Sequence, residues 1–250
     1  MELGVILLTV SMYILAIYLW WRDHAPNYLV ALMAGHIGSF LSPLWQALYG
    51  FEYNPQFPVY YRFHFGERFA ALARLNEFPL PRSVFLGAWT IALLPLAIFY
   101  LSRHRWWFPG YLTSLLTFVL FVLYHLLIEL IGLRQGWWRY TGQIWLPLGM
   151  PETLLSALMN GLISLGLLAT LLLTRRYALP SLMLILLPMQ LALSLFVNGV
   201  LGAPIYMVRL LQAQSWAGAI GLLGTLGLVV WGAHIVASSL GRPRDWRQMA

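Results

Sequence analysis

Long apolar stretches alternate along this chain with short polar segments that carry its arginines, and seven of the apolar stretches dominate the pattern. Leu3 to Trp21, Tyr28 to Gly50 and Ser83 to Leu101 hold no Asp, Glu, Lys or Arg, and His36 lies in the second. Pro109 to Leu133 holds His125 and Glu129, and Thr153 to Leu173, Ser181 to Gly202 and Trp216 to Leu240 follow, the last with His234. Each approaches the roughly 20 residues with which an α-helix crosses the hydrocarbon core. None shows the period-two alternation of barrel strands, and an open sheet leaves its backbone unsatisfied in lipid. The pattern predicts an all-α, polytopic integral membrane protein of about seven transmembrane helices in one bundle, a single membrane domain over residues 1–250. The first stretch begins directly behind Glu2, with no basic segment ahead and no small-residue cleavage site, so it reads as a retained helix.

Composition agrees. Of the residues 60% are hydrophobic and 9% charged, where a soluble domain carries about a quarter charged. With no lysine in the chain, arginine alone sets the orientation. The N-terminal face is designated side A. Seven crossings place Arg22, Arg103, Arg105, Arg175, Arg176, Arg242, Arg244 and Arg247 on side B, and Arg134, Arg139, Arg209 and the arginines of the 51–82 segment on side A. The positive-inside rule then makes side B cytoplasmic, with the N-terminus extracytoplasmic and the C-terminus cytoplasmic. The partner this implies is the lipid bilayer, since the arginines sit at helix ends where headgroups lie; no nucleic-acid surface is indicated. Trp20, Trp21, Trp45, Tyr49, Trp106, Trp107, Trp137 and Trp138 mark the interfaces, whereas Trp89 and Trp231 fall inside helices and face lipid or a pocket. The absence of cysteine excludes disulfides, thiolate metal sites and a cysteine nucleophile. The absence of lysine excludes a retinal Schiff base and a phosphate-binding loop. No metal site is expected.

The 51–82 segment is the one long connection. Within it, Phe65, Phe69 and Leu72 recur at helical spacing over Phe65 to Phe78, which predicts an interfacial amphipathic helix on side A, acting as a surface anchor or as a lid over a cavity.

The polar residues inside the apolar stretches are the candidates for chemistry. His125 and Glu129, four apart, share one helix face in its side-A half. Glu152 opens the next helix, Asn160 lies deeper along it, and Asn198 sits near the side-A end of the sixth. A carboxylate in hydrocarbon costs about 2.5–3.5 kcal/mol on insertion scales, so Glu129 should face a cavity or a partner. A structural ion pair to Arg134 or Arg139 is the plain alternative for Glu129. His125 would orient or reload it; Glu152 fits a first-turn acid after Pro151. Asn160, Gln190 and Asn198 also suit bonds between helices.

The run Glu129-Leu-Ile-Gly132-Leu-Arg-Gln-Gly136-Trp137-Trp138-Arg139-Tyr140-Thr141, followed by Pro147 and Pro151, resembles a motif of membrane carotenoid-biosynthesis proteins of the carotenoid hydratase type. Pro151-Glu152 faintly resembles the proline–glutamate signature of small membrane lycopene cyclases. The likeness covers about thirty residues, with a shorter spacer between Gly136 and Tyr140 than the hydratase pattern has and no residue between Pro151 and Glu152. It implies isoprenoid or carotenoid metabolism: proton-initiated hydration or cyclisation of a polyene, a lyase or isomerase reaction without a cofactor. Protonating a carbon–carbon double bond needs a dry, neutral acid, which suits Glu129, with His125 and Glu152 as further catalytic candidates. Aromatic faces stabilise the resulting carbocation, so Trp137, Trp138 and Tyr140, with Asn160 and Asn198, are the candidates for binding a long apolar isoprenoid.

A second expectation is a pigment- or haem-binding, or purely structural, subunit of a larger photosynthetic or respiratory membrane complex, with other membrane subunits as partners. His36 and His234 fall at similar depths, each roughly 10–12 Å from side B by helix rise, where they could ligate haem or chlorophyll.

Overall fold

The computed structural model describes residues 2–64, 77–140 and 146–241, apart from the side chains of Ala47 and Glu77. Helices dominate. In chain order they are α1 (Glu2–Asp23), α2 (Asn27–Ser39), α3 (Ser42–Tyr49), α4 (Arg82–Gly87), α5 (Trp89–Arg103), α6 (Tyr111–Arg134), α7 (Glu152–Leu173), α8 (Leu179–Ser194), α9 (Ala203–Leu210) and α10 (Ser215–Gly241). A π-helical turn, Leu195–Leu201, continues α8, and a 3₁₀ turn, Pro147–Gly149, precedes α7. Among the described residues six helical segments are long and apolar enough to cross a membrane: α1, α4 with α5, α6, α7, α8 with its π turn, and α10. That length and apolarity are compatible with an integral membrane location.

The second apolar stretch is not a continuous helix of that length. It breaks between α2 and α3 at Phe40 and Leu41. Pro43 is the cause: it lacks the N–H that would close on the carbonyl of Ser39, and its ring crowds that carbonyl. Pro188 lies inside α8, ahead of the π turn.

The core is built around α7, whose residues are mostly buried and which packs against α5, α6, α8 and α10. Its approach to α6 is close because residue 161 is glycine: a Cβ there would lie 2.7 Å from Val122 Cγ2 and 3.1 Å from the Val122 nitrogen. By contrast, α1 presents most of its surface outward, and a buried polar residue on it, Thr9, ties it to the helices behind. Thr9 Oγ1 lies 2.7 Å from the Val5 carbonyl and 2.8 Å from the Leu86 carbonyl, which share its one proton, and it accepts from Trp89 Nε1 (3.0 Å). That explains one of the two mid-helix tryptophans; the other, Trp231, is 53% exposed on α10.

Two small antiparallel sheets, which the apolar pattern does not show, lie at one end of the helices. Strand β1 (Phe51–Tyr53) pairs with β4 (Trp138–Tyr140), and β2 (Val59–His64) with β3 (Glu77–Pro81). Residues 65–76, over which most of the amphipathic helix is expected, lie outside the described residues; the flanks that are described are strands. In the β1–β4 pair Phe51 opposes Tyr140, Glu52 opposes Arg139, and Tyr53 opposes Trp138. Alternation along a strand therefore puts four aromatic rings on one face and the charged pair on the other, where Arg139 and Glu52 meet at 3.1 Å in an exposed ion pair.

Candidate functional site

Three helices carry polar side chains at every fourth residue, which on a helix forms a single face. On α6 these are His125 and Glu129; on α7, Glu152, Ser156, Asn160 and Ser164; on α8 and its π turn, Gln190, Ser194 and Asn198. Most of these side chains line one cavity of about 400 Å³. It lies at the end of the helices where α1 begins, and the aromatic face of the β1–β4 sheet walls it on that side.

Glu129 is the acid of this cavity. Ser156 donates to its Oε1 at 2.5 Å, while Trp138 Nε1 and the Tyr140 hydroxyl donate to Oε2 at 3.1 and 3.2 Å. No pair with Arg134 or Arg139 holds it: Arg139 takes Glu52 instead. Two of the three donors come from β4, so the small sheet presents the hydrogen-bonding groups as well as the wall. Burial pushes the Tyr140 phenol well above its ordinary range, which keeps it protonated and donating. Trp138 reaches Glu129 because position 132 is glycine; a Cβ there would fall on the indole ring.

His125 lines the same cavity, but its Nε2 lies 2.8 Å from Ser164 Oγ, and Ser164 Oγ in turn is 3.4 Å from the Ile91 carbonyl. It is therefore held by α7, and no bond joins it to Glu129. Trp137, Trp138, Tyr140, Asn160 and Asn198 also line the cavity, the asparagines with partners already: Asn160 donates to Ser156 at 3.3 Å, and Tyr49 donates to Asn198 at 2.5 Å. Glu152 does not join them. It is 2% exposed and ion-paired with Arg209, at the start of α7 against α9.

His36 and His234 take separate partners on separate helix pairs. His36 Nδ1 is 2.7 Å from the Phe85 carbonyl, with Tyr13 stacked on its ring, and His234 Nδ1 is 3.0 Å from the Tyr111 hydroxyl. Among the described residues no group of three or more His, Cys, Asp or Glu is placed to hold a metal ion.

Sequence reasoning missed Ser156, the shortest contact of Glu129, and the aromatic residues Trp45, Tyr49 and Tyr53 that line the cavity. The four-residue repeat from Glu152 to Ser164 was the signal that could have found Ser156. What the fold and site define is a chain with membrane-length apolar helices built around an acid-bearing, aromatic-walled cavity. No known protein family matches this chain, nor does any curated protein or solved structure.

Proposed function

We propose that the chain is an integral membrane enzyme in which Glu129 donates a proton to a carbon–carbon double bond of a long apolar isoprenoid, initiating hydration or cyclisation. One observation carries the reading: Glu129 stands in a largely apolar cavity with three donors aimed at its carboxyl group. When the proton leaves, the charge that develops on the carboxylate falls where the Trp138 and Tyr140 donors are already in place, and the Ser156 hydroxyl needs only to turn to add a third. The carbocation formed on the substrate faces the rings of Trp138, Tyr140 and Trp89, all in the cavity wall. Proton loss from the cation completes cyclisation; addition of water followed by proton loss completes hydration.

The cavity's dimensions support end-first binding. At about 400 Å³ the cavity lies near the lower end of the roughly 300–1,000 Å³ that small-molecule pockets span. Only the end of a long isoprenoid fits. The remainder would lie in the bilayer past Val5 and Leu8 of α1, which line the cavity; Leu8 is 56% exposed. In this reading α2 and α3 together form a seventh crossing, since 13 and 8 residues rise about 32 Å, near the thickness of the hydrocarbon core. The arginines at the opposite helix ends favour a cytoplasmic C-terminus.

The test is deuterium incorporation. Vesicles carrying the protein, supplied with the acyclic polyene lycopene in D2O, are expected to give carbon-bound deuterium detectable by mass spectrometry. Glu129→Gln should lower the rate by about 10²–10⁴-fold, the usual worth of a general acid. Equal incorporation by wild type and variant would overturn the reading.

A further inference from the structure

Most polar side chains in the cavity wall are spoken for. Ser194 accepts from Trp45 at 2.9 Å, Asn198 from Tyr49, and Ser156 serves Glu129. Two differ. Gln190 is 1% exposed and Ser83 7% exposed, both line the cavity, and Gln190 Oε1 and Ser83 Oγ have no hydrogen-bond partner. An unpaired buried polar atom loses its full hydration, so two of them bordering one empty space mark a place for a ligand group.

Their placement is specific. Gln190 comes from α8 and packs on α2 at Gly38, where a Cβ would lie 3.2 Å from Gln190 Cγ. Ser83 comes from α4, which packs on α1 and α2. Glu129 stands on α6, which packs on α7 and α10, so the unpaired atoms and the acid belong to different walls. The lining they share also carries apolar side chains, among them Val84, Ile91, Ile128 and Ile163.

We infer that the Gln190–Ser83 wall is a binding subsite for a hydroxyl group carried by the ligand. A carbonyl or ether cannot donate to Gln190 Oε1, whereas a hydroxyl donates to the amide oxygen and accepts from an amide N–H, so it answers whichever end of the amide faces it. It also serves Ser83 as donor or acceptor, directly or through one water. Among the described residues that line the cavity none is Arg, Lys or Asp, so a charged headgroup meets no counter-ion on this wall. The ligand class is thus an apolar chain ending in an alcohol, bound hydroxyl first, with its leading double bonds passing Glu129. That the chain is an isoprenoid rests on the proposed function; the hydroxyl subsite does not.

The experiment uses the full chain in lipid nanodiscs, with farnesol and the matching triene hydrocarbon that lacks the oxygen as probes. Binding is read from tryptophan fluorescence, since Trp45, Trp89, Trp137 and Trp138 line the cavity, and expressed per mole fraction of lipid. Farnesol should bind about 2–13-fold more tightly than the hydrocarbon, the net worth of one hydrogen bond. Gln190→Leu should abolish that preference, and Ser83→Ala, which changes little volume, should reduce it. Equal affinities in the wild type would assign the two atoms to a resident water and overturn the inference, as would a preference that survives both substitutions. Binding needs no turnover. Glu129→Gln protein that keeps the farnesol preference, in a chain that incorporates no deuterium, would remove the catalytic proposal and leave the subsite standing. Deuterium incorporation without any preference would do the reverse.

Discussion

Ser156→Ala isolates one hydrogen bond of the acid and fixes which oxygen carries the proton. Trp138 Nε1 can only donate, and it donates to Oε2, so a proton on Oε2 would point donor at donor. In the neutral acid that the proposed reaction requires, the proton therefore belongs on Oε1, with Ser156 Oγ 2.5 Å away. Before transfer Ser156 accepts from a neutral acid; afterwards its hydroxyl turns and donates to a carboxylate. A neutral hydrogen bond is worth about 0.5–1.5 kcal/mol net and one to a charged group about 1.5–3 kcal/mol. The difference, about 1–1.5 kcal/mol, is what Ser156 contributes only as charge develops, so its loss should slow proton transfer about 5–13-fold. Initial rates of deuterium incorporation at fixed pH, with thermal unfolding followed by circular dichroism on the same preparations, measure both sides of this. Ser156→Thr, which keeps the hydroxyl, should recover most of the rate. An unchanged rate in Ser156→Ala, or a rate loss that Ser156→Thr fails to relieve, would refute the assignment of the proton to Oε1.

Two further predictions follow from packing. Gly132→Ala should push the Trp138 ring out of its seat, cost about 1–3 kcal/mol as overpacking and lower both the thermal midpoint and the Glu129-dependent rate; an unaltered midpoint would mean the ring has room to move. Arg209→Leu should strand the buried carboxylate of Glu152 and destabilise the protein by about 3–5 kcal/mol, much of it recovered in the double variant with Glu152→Gln, as read by thermal unfolding in detergent.

How much of this was legible in the chain depends on the length scale of each signal. Apolar runs report crossing-length helices directly, and they did so for all but the second, where Pro43 cuts the run without lowering its hydropathy. Two-stranded sheets of three to six residues leave no comparable trace: Phe51 to Tyr53 read as the start of a long connection and Trp138 as an interfacial aromatic, because aromatic belts and aromatic strands use the same residues. The pairing that turns them into a cavity wall spans from position 51 to position 140 and has no local sign. The acid itself was legible, since an ionisable residue in an apolar helix has few structural uses. Its partners were not. An arginine five or ten residues away is the simpler expectation for Glu129 than a serine on the next helix and an indole held by Gly132. His125 shows the same limit, for helical spacing puts it on the face of Glu129 while its hydrogen bond goes to Ser164. Gln190 and Ser83 carry no pattern that separates a side chain bonded to a neighbouring helix from one with no partner.

The β1–β4 sheet offers a way to distinguish the two routes by which a ligand could reach Glu129. Trp138 and Tyr140 both donate to Oε2 from β4, so lifting this strand to admit a ligand from the aqueous face would strip two of the acid's three donors at once. Access past Val5 and Leu8 of α1 leaves them in place. Glu52 and Arg139 are directly opposed across the pair, with side chains on the outer face. Opposed residues of an antiparallel pair have Cα atoms about 4.5–5.5 Å apart, within the span of a disulfide. Because the chain contains no cysteine, Glu52→Cys with Arg139→Cys supplies its only two thiols. The outer ion pair they replace is exposed and worth at most about 1 kcal/mol. Oxidation should lock β1 to β4, and deuterium incorporation from lycopene should then proceed at the rate of the reduced protein. Inhibition on oxidation, reversed by a reductant, would show that the strands must part during turnover. Lateral access along α1 would then be wrong, and the three donors would assemble around Glu129 only after the ligand is in.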